Sequence, residues 1–493
     1  MTRIDWLAIA PELVVAGTLL VVLAVDLFLP RERKYYVAAL AVLGTTLAMV
    51  PVILMAVAGD SYSMFDGSYV VDQFALVLKG VFLVAGYLVL LISVSYVESD
   101  RFYQGEYYLL LLSSLLGSMV LTSGRDLVVL FVALELTTGP LFLLAGWRKG
   151  DLRSNEASLK FFIIGVLSTG LMLYGMSLLF GLTGELSFAG IREAIASAGL
   201  ASEPVLGLAV LLILVGFGFK VSAVPFHFWA PDTYQGSPPP VTAYLSVSSK
   251  LAGFVAMLVV IYLALPAVTE FWGPALWLMA AASMTVANLS ALRQTHLIRL
   301  LAYSSVAQAG FMLVPFAGAA IADDGLAEGL GATVIYLVIY AVMNLGAFAV
   351  VIAGGRRIGS YEISEWRGLG SYAPRQGVML AVFFLSLAGL PPLAGWFAKF
   401  VMFRAILIST GPAGVWLAVI AAVNAVVAFY YYARVVKSAW FDKAPDVIPE
   451  DTEAGPTGPL NLAVGVSLVV VLVVGAFPAI ATFFGDAAAA LVP

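Results

Sequence analysis

The chain has 493 residues, of which 62% are hydrophobic and only 11% charged, with a formal net charge of -5. Because a soluble domain carries roughly 25% charged residues, this composition excludes an ordinary soluble protein, and the small negative charge argues against binding to nucleic acid. The chain has no cysteine and two histidines, His227 and His296. That excludes thiolate-held iron–sulfur clusters and disulfides on this chain and argues against a histidine-held metal or haem.

Long apolar runs predict an all-α polytopic membrane protein. A helix needs about 20 apolar residues to cross a bilayer, and lipid accepts only helices or closed barrels. We count about fourteen such runs and number them as spans 1 to 14. They lie near residues 6–29, 36–58, 74–96, 107–123, 126–147, 157–181, 205–229, 240–265, 274–293, 297–318, 327–354, 376–409, 413–438 and 460–484. The longest connections, 182–204 and 439–459, have room for a short surface helix or a solvated loop.

Lysines and arginines between the spans are concentrated on one side of the membrane. Seventeen of the 25 lie in or close to the connections that follow odd-numbered spans, three (Arg3, Arg125 and Arg192) lie on the other side, and the remaining five are placed within the spans. Cytoplasmic connections carry the positive excess. We therefore expect a multi-pass protein of the inner (plasma) membrane with both termini on the outer face. The first residues lack a basic region, so no cleavable signal peptide is expected.

Four charged side chains interrupt the apolar spans near mid-depth: Glu135 in span 5, Lys220 in span 7, Lys250 in span 8 and Lys399 in span 12. A charge at this depth costs at least ~2.5 kcal/mol, so each is a functional candidate. A lysine held out of water can take up and release a proton near neutral pH, and a nearby carboxylate strengthens its hold. We therefore interpret Glu135 and Lys220 as a switchable pair, Lys250 as a central proton station and His227 as a link between the two lysines.

Each of these residues also has a structural interpretation. Glu135 and Lys220 could form a static ion pair that fixes helix packing, and His227 could bond a backbone carbonyl. Lys399 could extend along its aliphatic stem to the membrane surface. Lys79 lies near the start of span 3 and is expected at the membrane interface.

Prolines predict breaks in spans 7 and 12. Pro225 cannot donate a hydrogen bond to the carbonyl of Val221, and Pro391 and Pro392 have the same effect in span 12. Free carbonyls at this depth need protein or water partners, so both spans should be discontinuous and line a hydrated cavity. The breaks lie five spans apart, which predicts two inverted five-helix repeats. The expected divisions are residues 1–106 (spans 1–3), 107–265 (spans 4–8), 274–438 (spans 9–13) and 439–493 (an acidic loop and span 14).

Three stretches of the chain resemble a known family. They are FKVSAVPFHFWAPDTYQGSPPPVTAYLSVSSK across spans 7 and 8, DLRSNEASLKFFIIG after span 5, and ANLSALRQTHLIRLLAYSSVAQAGFML across spans 9 and 10. They resemble the antiporter-like membrane subunits of respiratory complex I, the NADH-quinone oxidoreductase. Within that family the N type is the most similar, and a lysine at position 399 favours the N or L type.

The resemblance implies a function and a set of site residues. Glu135 and Lys220 correspond to the glutamate of span 5 and the lysine of span 7 in that family. Lys250 corresponds to its central lysine, Lys399 to its ionisable residue in span 12, and His227 to its histidine after the break. The chain would then translocate protons along a hydrated polar axis, driven by quinone reduction elsewhere in the complex.

The resemblance also implies cofactors and partners outside the chain. FMN, iron–sulfur clusters and quinone are expected on partner subunits, with none on this chain. The expected neighbours are an M-type antiporter-like subunit and small membrane subunits. Glu106, at the cytoplasmic start of span 4, is a further candidate for proton uptake.

Three other functions fit a chain with these features. The nearest is a subunit of a related cation/proton antiporter or of a membrane-bound hydrogenase. A second is a stand-alone transporter, in which the buried lysines would bind an anion. A third is a membrane scaffold with static ion pairs, in which neutralising Lys250 would harm assembly rather than specific activity.

Overall fold

The computed structural model describes residues 4–30, 33–99, 105–320, 325–408, 411–445, 458–489 and 491. Helices dominate it. The α-helices are α1 (Ala10–Phe28), α2 (Tyr35–Ala58), α3 (Gln73–Ser99), α4 (Gly105–Ser123), α5 (Leu127–Ala145), α6 (Leu152–Thr183), α7 (Phe188–Ser197), α8 (Pro204–Lys220), α9 (Trp229–Gly236), α10 (Pro239–Tyr244), α11 (Lys250–Val259), α12 (Thr269–Ala291), α13 (Leu297–Ala319), α14 (Gly325–Ile358), α15 (Leu369–Tyr372), α16 (Pro374–Ala388), α17 (Ala394–Ile408), α18 (Pro412–Phe441), α19 (Gly458–Ala476) and α20 (Ala479–Ala489).

The predicted all-α membrane architecture is confirmed. Twelve helices among the described residues are long and apolar enough to cross a membrane, and spans 7 and 12 consist of shorter pieces. Span 14 differs from the prediction, because it ends at Ala476 and α20 follows as a separate helix. Pro478 explains the break, since proline has no N–H to donate and disfavours helical geometry in the residue before it. The short helix α7 occupies the 182–204 connection as expected, whereas most of the acidic 439–459 connection lies outside the described residues.

The centre of the bundle is formed by span 8 with α13 and α14. Span 8 combines α10 and α11 through a π-helical turn at Leu245–Ser249, directly before Lys250. A second π-helical turn, Val260–Ala264, ends it. Almost all of span 8 is buried, whereas α1 and α6 expose most of their surface to the surroundings. Lys250 therefore lies on the most enclosed of the candidate membrane spans that the structure describes.

A small hairpin that the sequence analysis does not predict joins α2 to α3. Strands β1 (Tyr62–Met64) and β2 (Tyr69–Val71) pair antiparallel, with Ser63 opposite Val70. Asp66 and Gly67, which have φ of 56° and 88°, form the turn. The hairpin also reaches the α4–α5 connection, because Tyr69 pairs with Gly124 in an isolated bridge. It thus carries Tyr69 over the ends of α3 and α4.

Spans 7 and 12 are broken where the prolines predict. Helix α8 ends at Lys220 and α9 begins at Trp229, whereas α16 ends at Ala388 and α17 begins at Ala394. A left-handed residue starts each interruption: Ser222 has φ of 59° and Gly389 has φ of 90°. The residues directly before the second interruption, Leu387 and Ala388, are buried.

Matching hydrogen bonds relate the two halves of the chain. Segment 125–127 exchanges two backbone hydrogen bonds with segment 186–188, both 3.1 Å long. Segment 295–297 exchanges two in the same positions with segment 361–363, 2.8 and 2.7 Å long. Each pairing holds the start of one helix, α5 or α13, against the start of a short helical segment. The correspondence lets positions in the two halves be compared residue by residue.

Candidate functional site

Lys220 and Glu135 form an ion pair inside the membrane region. Lys220 Nζ lies 2.8 Å from Glu135 Oε1 and also donates to Thr138 Oγ1 at 2.8 Å. Thr169 donates a further hydrogen bond to the same carboxylate at 3.1 Å. The lysine side chain is 1% exposed, but the glutamate side chain is 33% exposed. The lysine of the pair is therefore enclosed, whereas the glutamate lies at the surface of the helix bundle.

Close packing fixes Lys220 against span 8. Lys220 is the last residue of α8, and Gly253 of α11 lies directly against it. A Cβ at position 253 would lie 2.8 Å from Lys220 Cβ, which is too close for any side chain. Lys250 precedes Gly253 by three residues and so lies on the same helix face, about one turn away. The two lysines are thereby brought to one side of span 8.

Lys250 is bound by neutral groups. Its Nζ donates to the carbonyl of Ser305 at 2.5 Å, and the side chain is buried. The hydroxyl of Ser305 is 2.9 Å from the hydroxyl of Tyr340, which donates to the carbonyl of Ser246 at 3.1 Å. Among the described residues, no carboxylate forms an ion pair with Lys250. Its proton is therefore held by dipoles rather than by a counter-charge.

Lys399 points into the bundle rather than to the membrane surface. Its Nζ donates to the carbonyl of Ala388 at 2.6 Å and lies 4.9 Å from the centre of the Phe311 ring. Gly389 leaves room for its stem, because a Cβ there would lie 2.7 Å from Lys399 Cδ. The carbonyl of Leu387 is also used, by Gln308 Nε2 at 3.0 Å. The carbonyls expected to be freed by the span 12 prolines thus have protein partners.

Five neutral residues that the sequence analysis does not select connect Lys250 toward Lys399. Gln308 accepts a hydrogen bond from Tyr336 at 2.7 Å and lies 3.5 Å from the hydroxyl of Tyr432. Tyr432 in turn bonds Ser304, which neighbours the carbonyl that binds Lys250. The fifth of these residues is Tyr340, whose hydroxyl contacts that of Ser305. A signal was available in the stretch AYSSVAQAG, where Ser304, Ser305 and Gln308 interrupt an apolar helix at helical spacing.

His227 lies in the break of span 7 but contacts neither lysine. Its ring is half-buried, and Nδ1 has no hydrogen-bond partner within the described part of the chain. His296 precedes α13, with its ring 5.9 Å from that of Tyr361, and burial lowers its pKa. Glu106 is exposed in a cavity of about 750 Å³ between α4, α5 and α6, together with Lys149. None of these three extends the chain of contacts described above.

Lys79, near the start of span 3, is enclosed by other parts of the protein. Its side chain is fully buried and forms an ion pair of 2.8 Å with Glu12 of α1. Its Nζ also donates to the hydroxyl of Tyr69 at 3.0 Å. The hairpin covers this end of α3 and shields the lysine, whose expected place at the membrane interface stays a prediction.

The arrangement as a whole is a line of buried ionisable and hydroxyl groups across the bundle. It begins at a partly exposed carboxylate, passes three lysines and ends beside the break of span 12. Within the described ranges, no group of three or more His, Asp or Glu side chains is placed to hold a metal ion. Such a line can pass protons by successive transfer between lysine nitrogens, hydroxyl groups and bridging water.

Comparisons with known proteins place these residues in a family. The family model described as "NADH:quinone oxidoreductase/Mrp antiporter, TM" matches residues 124–426. NADH-quinone oxidoreductase subunit N of Trichlorobacter lovleyi is 38% identical over 98% of this chain and 97% of its own length. Subunit N 2 of Streptomyces griseus is 42% identical over 91% of this chain and 85% of its own length. A chain of respiratory complex I from Thermus thermophilus, solved with bound aureothin, superposes with a TM-score of 0.79 at 32% identity, covering 97% of this chain and 100% of that one.

Proposed function

Since the chain belongs to the NADH:quinone oxidoreductase/Mrp antiporter family, we propose that it is a proton-translocating membrane subunit of an NADH-quinone oxidoreductase. The enzyme activity belongs to the assembled complex, and this chain contributes a proton path through the membrane. One observation carries the proposal: three lysines are buried within the helix bundle, one paired with a carboxylate and the other two bound by backbone carbonyls. Buried ionisable groups aligned across transmembrane helices are typical of proton relays.

The relay begins with the ion pair of Glu135 and Lys220. While the carboxylate faces Lys220 Nζ, the lysine keeps its proton, because its charge is compensated. Glu135 is one-third exposed, so its carboxylate is able to turn toward a neighbouring subunit. Lys220 then lies buried without a counter-charge, which favours release of its proton toward Lys250 on the adjacent face of span 8. The first transfer is therefore set by where one carboxylate points.

The second part of the relay runs from Lys250 to Lys399. Lys250 Nζ rests on the Ser305 carbonyl, beside the hydroxyl groups of Tyr340 and Ser304. Neutral donors and acceptors of this kind pass a proton by exchanging hydrogen-bond direction, without holding a charge themselves. Lys399 at the break of span 12 receives the proton. His227 is the peripheral member of the proposed set and would serve the break of span 7.

The exposed carboxylate supports partnership with other membrane subunits. A carboxylate facing lipid at mid-depth is costly, so a neighbouring chain would cover Glu135 in the complex. We infer that small membrane subunits lie on this side and an M-type antiporter-like subunit on the side of span 12. FMN, iron–sulfur clusters and quinone would be bound by partner subunits. The proposed orientation puts both termini on the outer face of the inner membrane, and the proposed repeats are residues 107–265 and 274–438.

Lys250→Ala in the assembled complex tests the proposal. We expect proton delivery into proteoliposomes and quinone reduction to fall together by about tenfold or more, the scale on which a positioned proton-transfer group acts. Lys437→Ala, which removes an exposed lysine of α18, serves as the matched control and should match the parent. An assembled Lys250→Ala complex with parent rates of both processes would show the relay to be wrong.

A further inference from the structure

A second group of buried charges lies outside the proposed relay, where α1, α3 and the hairpin meet. Lys79 of α3 is fully buried and contacts Glu12 at 2.8 Å and the hydroxyl of Tyr69 at 3.0 Å. Glu12 is in the first turn of α1, and its side chain is 9% exposed. Ser123, the last residue of α4, lies beside the Tyr69 hydroxyl, and its own hydroxyl has no hydrogen-bond partner within the described part of the chain.

A column of hydroxyl groups runs along α4 from this cluster toward the bundle centre. Ser114, Ser118 and Thr122 follow one another at intervals of four residues, so they share one face of the helix, and all three are completely buried. Ser118 donates to the carbonyl of Ser114 at 3.0 Å and lies 3.4 Å from the hydroxyl of Thr137. Successive hydroxyls lie about 6 Å apart along the axis, a distance that one bridging water spans.

The inner end of the column reaches the relay at two points. Thr137 adjoins Thr138, whose hydroxyl accepts a hydrogen bond of 2.8 Å from Lys220. Tyr244 lies within interaction range of Ser114 and Ser118 on one side and of Ser248, two residues before Lys250, on the other. The Tyr244 hydroxyl itself is buried and has no hydrogen-bond partner among the described residues. A polar route therefore connects the central lysines to the Lys79 cluster.

We propose that this column and the cluster of Glu12, Lys79 and Tyr69 form a proton path between the central relay and the outer face, with Lys79 as its titrating station. The proposal rests on the proposed function and on the orientation given with it. Glu12 is the terminal group, one turn from the N-terminal end of α1. A purely structural ion pair is the alternative, and isolated buried pairs add little stability compared with apolar packing.

The proton transfers balance along this path. The Lys79 ammonium gives a proton to the Glu12 carboxylate, which leaves both groups neutral, and Glu12 then releases it to water at the outer face. Neutral Lys79 takes a proton from the Tyr69 hydroxyl as that hydroxyl receives one from the Ser123 side. Burial and the Glu12 carboxylate raise the pKa of Tyr69, so the phenol passes protons on without remaining ionised.

Lys79→Arg and Tyr69→Phe separate the two explanations. Arginine keeps the charge and the ion pair with Glu12 but does not release its proton near neutral pH, and phenylalanine keeps the ring but not the hydroxyl. If the path operates, both variants slow proton delivery into proteoliposomes at least fivefold at unchanged subunit content. Tyr174→Phe, at an exposed position on α6, is the matched control and should keep the parent rate.

The proposal is overturned if Tyr69→Phe and Lys79→Arg deliver protons at the control rate, since charge and packing would then be sufficient. Should Lys79→Arg fail to assemble, Tyr69→Phe decides alone, because it removes only one oxygen. Lys250→Ala is measured in the same way, so that failure of the central relay can be told apart from failure of the outer path. A deficit in Lys250→Ala with parent rates in the two path variants removes only the outer path. Parent rates in Lys250→Ala remove the relay and, with it, the path.

Discussion

The broken spans of the two halves have the same backbone design but carry charge in different places. Ser222 and Gly389 take left-handed conformations at matching positions, each three residues before a proline of the break. Five residues before the same prolines lie Lys220 in the first half and Leu387 in the second. In the second half the charge comes from Lys399, beyond the break. The fold therefore supplies a broken helix twice, with the lysine before the break in the first half and after it in the second.

The helices that face the two breaks differ in the same way. Nine residues after Asp126 and His296, the middle residues of the paired segments, lie Glu135 and Ser305. The first is the carboxylate partner of a lysine, whereas the second presents a hydroxyl and a carbonyl. Twelve residues after Asp126 and His296 lie Thr138 and Gln308. Thr138 binds the ammonium of span 7, and Gln308 binds a carbonyl of span 12. At these positions the first half thus contains an ion pair, and the second contains a neutral hydrogen-bonded group.

The largest effect is expected from Lys220→Ala. It removes the charged position of the first half, so that Glu135 has no buried partner and Lys250 receives no proton from that side. We expect proton delivery and quinone reduction to fall together by about tenfold or more, measured in proteoliposomes containing the assembled complex. Unchanged rates would identify Lys220 as a packing partner of Glu135 and remove the proposed path.

Leu387→Ala is the matched variant in the second half. Leu387 is fully buried, and truncating such a leucine costs ~2–5 kcal/mol of stability. Its carbonyl, which is the group that Gln308 binds, is unaffected by the substitution. We therefore expect a lower thermal stability of the complex with proton delivery near the parent rate. Equal losses of transport in Lys220→Ala and Leu387→Ala would contradict the difference drawn between the two breaks.

A smaller effect is expected from Gln308→Leu, which tests the neutral hydrogen-bonded group of the second half. It disconnects the Leu387 carbonyl from the hydroxyl groups of Tyr336 and Tyr432. A net hydrogen-bond contribution of ~1 kcal/mol corresponds to about a fivefold change in an equilibrium, so we expect proton delivery to slow about fivefold. Gln308→Glu keeps an acceptor for Tyr336 and should restore part of the rate. A parent rate in Gln308→Leu would mean that this group supports structure only.

Much of this arrangement could be predicted from the sequence because charges are rare in lipid. Lys220, Lys250 and Lys399 stand out in apolar runs, and their burial follows from the cost of exposing them. The breaks in spans 7 and 12 could be predicted from the prolines for an equally local reason, because proline has no N–H to donate. That the carbonyls of Leu387 and Ala388 have protein partners agrees with the expectation for membrane-depth backbone.

The remaining residues could not be predicted because their role depends on distant contacts. Tyr336 and Tyr432 look like ordinary aromatic residues of apolar helices, and only the fold brings them to Gln308. The ion pair of Lys79 could not be predicted for the same reason, since its partner Glu12 lies in another helix and the covering hairpin has no strong strand pattern. Site residues are therefore hardest to predict from the sequence where they are neutral or where their ion-pair partner lies in a distant helix.

The smallest effect is expected from His227→Gln. The sequence pattern makes this histidine a link between Lys220 and Lys250, but its ring, half-buried in the break, contacts neither of them. Glutamine keeps a hydrogen-bonding group of similar reach but does not titrate, so any loss reports proton transfer by the ring. We expect proton delivery to change less than about twofold, a difference of under ~0.5 kcal/mol. A tenfold loss would require the break of span 7 to change conformation during turnover and bring the ring to the lysines. The two halves would then differ in motion as well as in the position of their lysines.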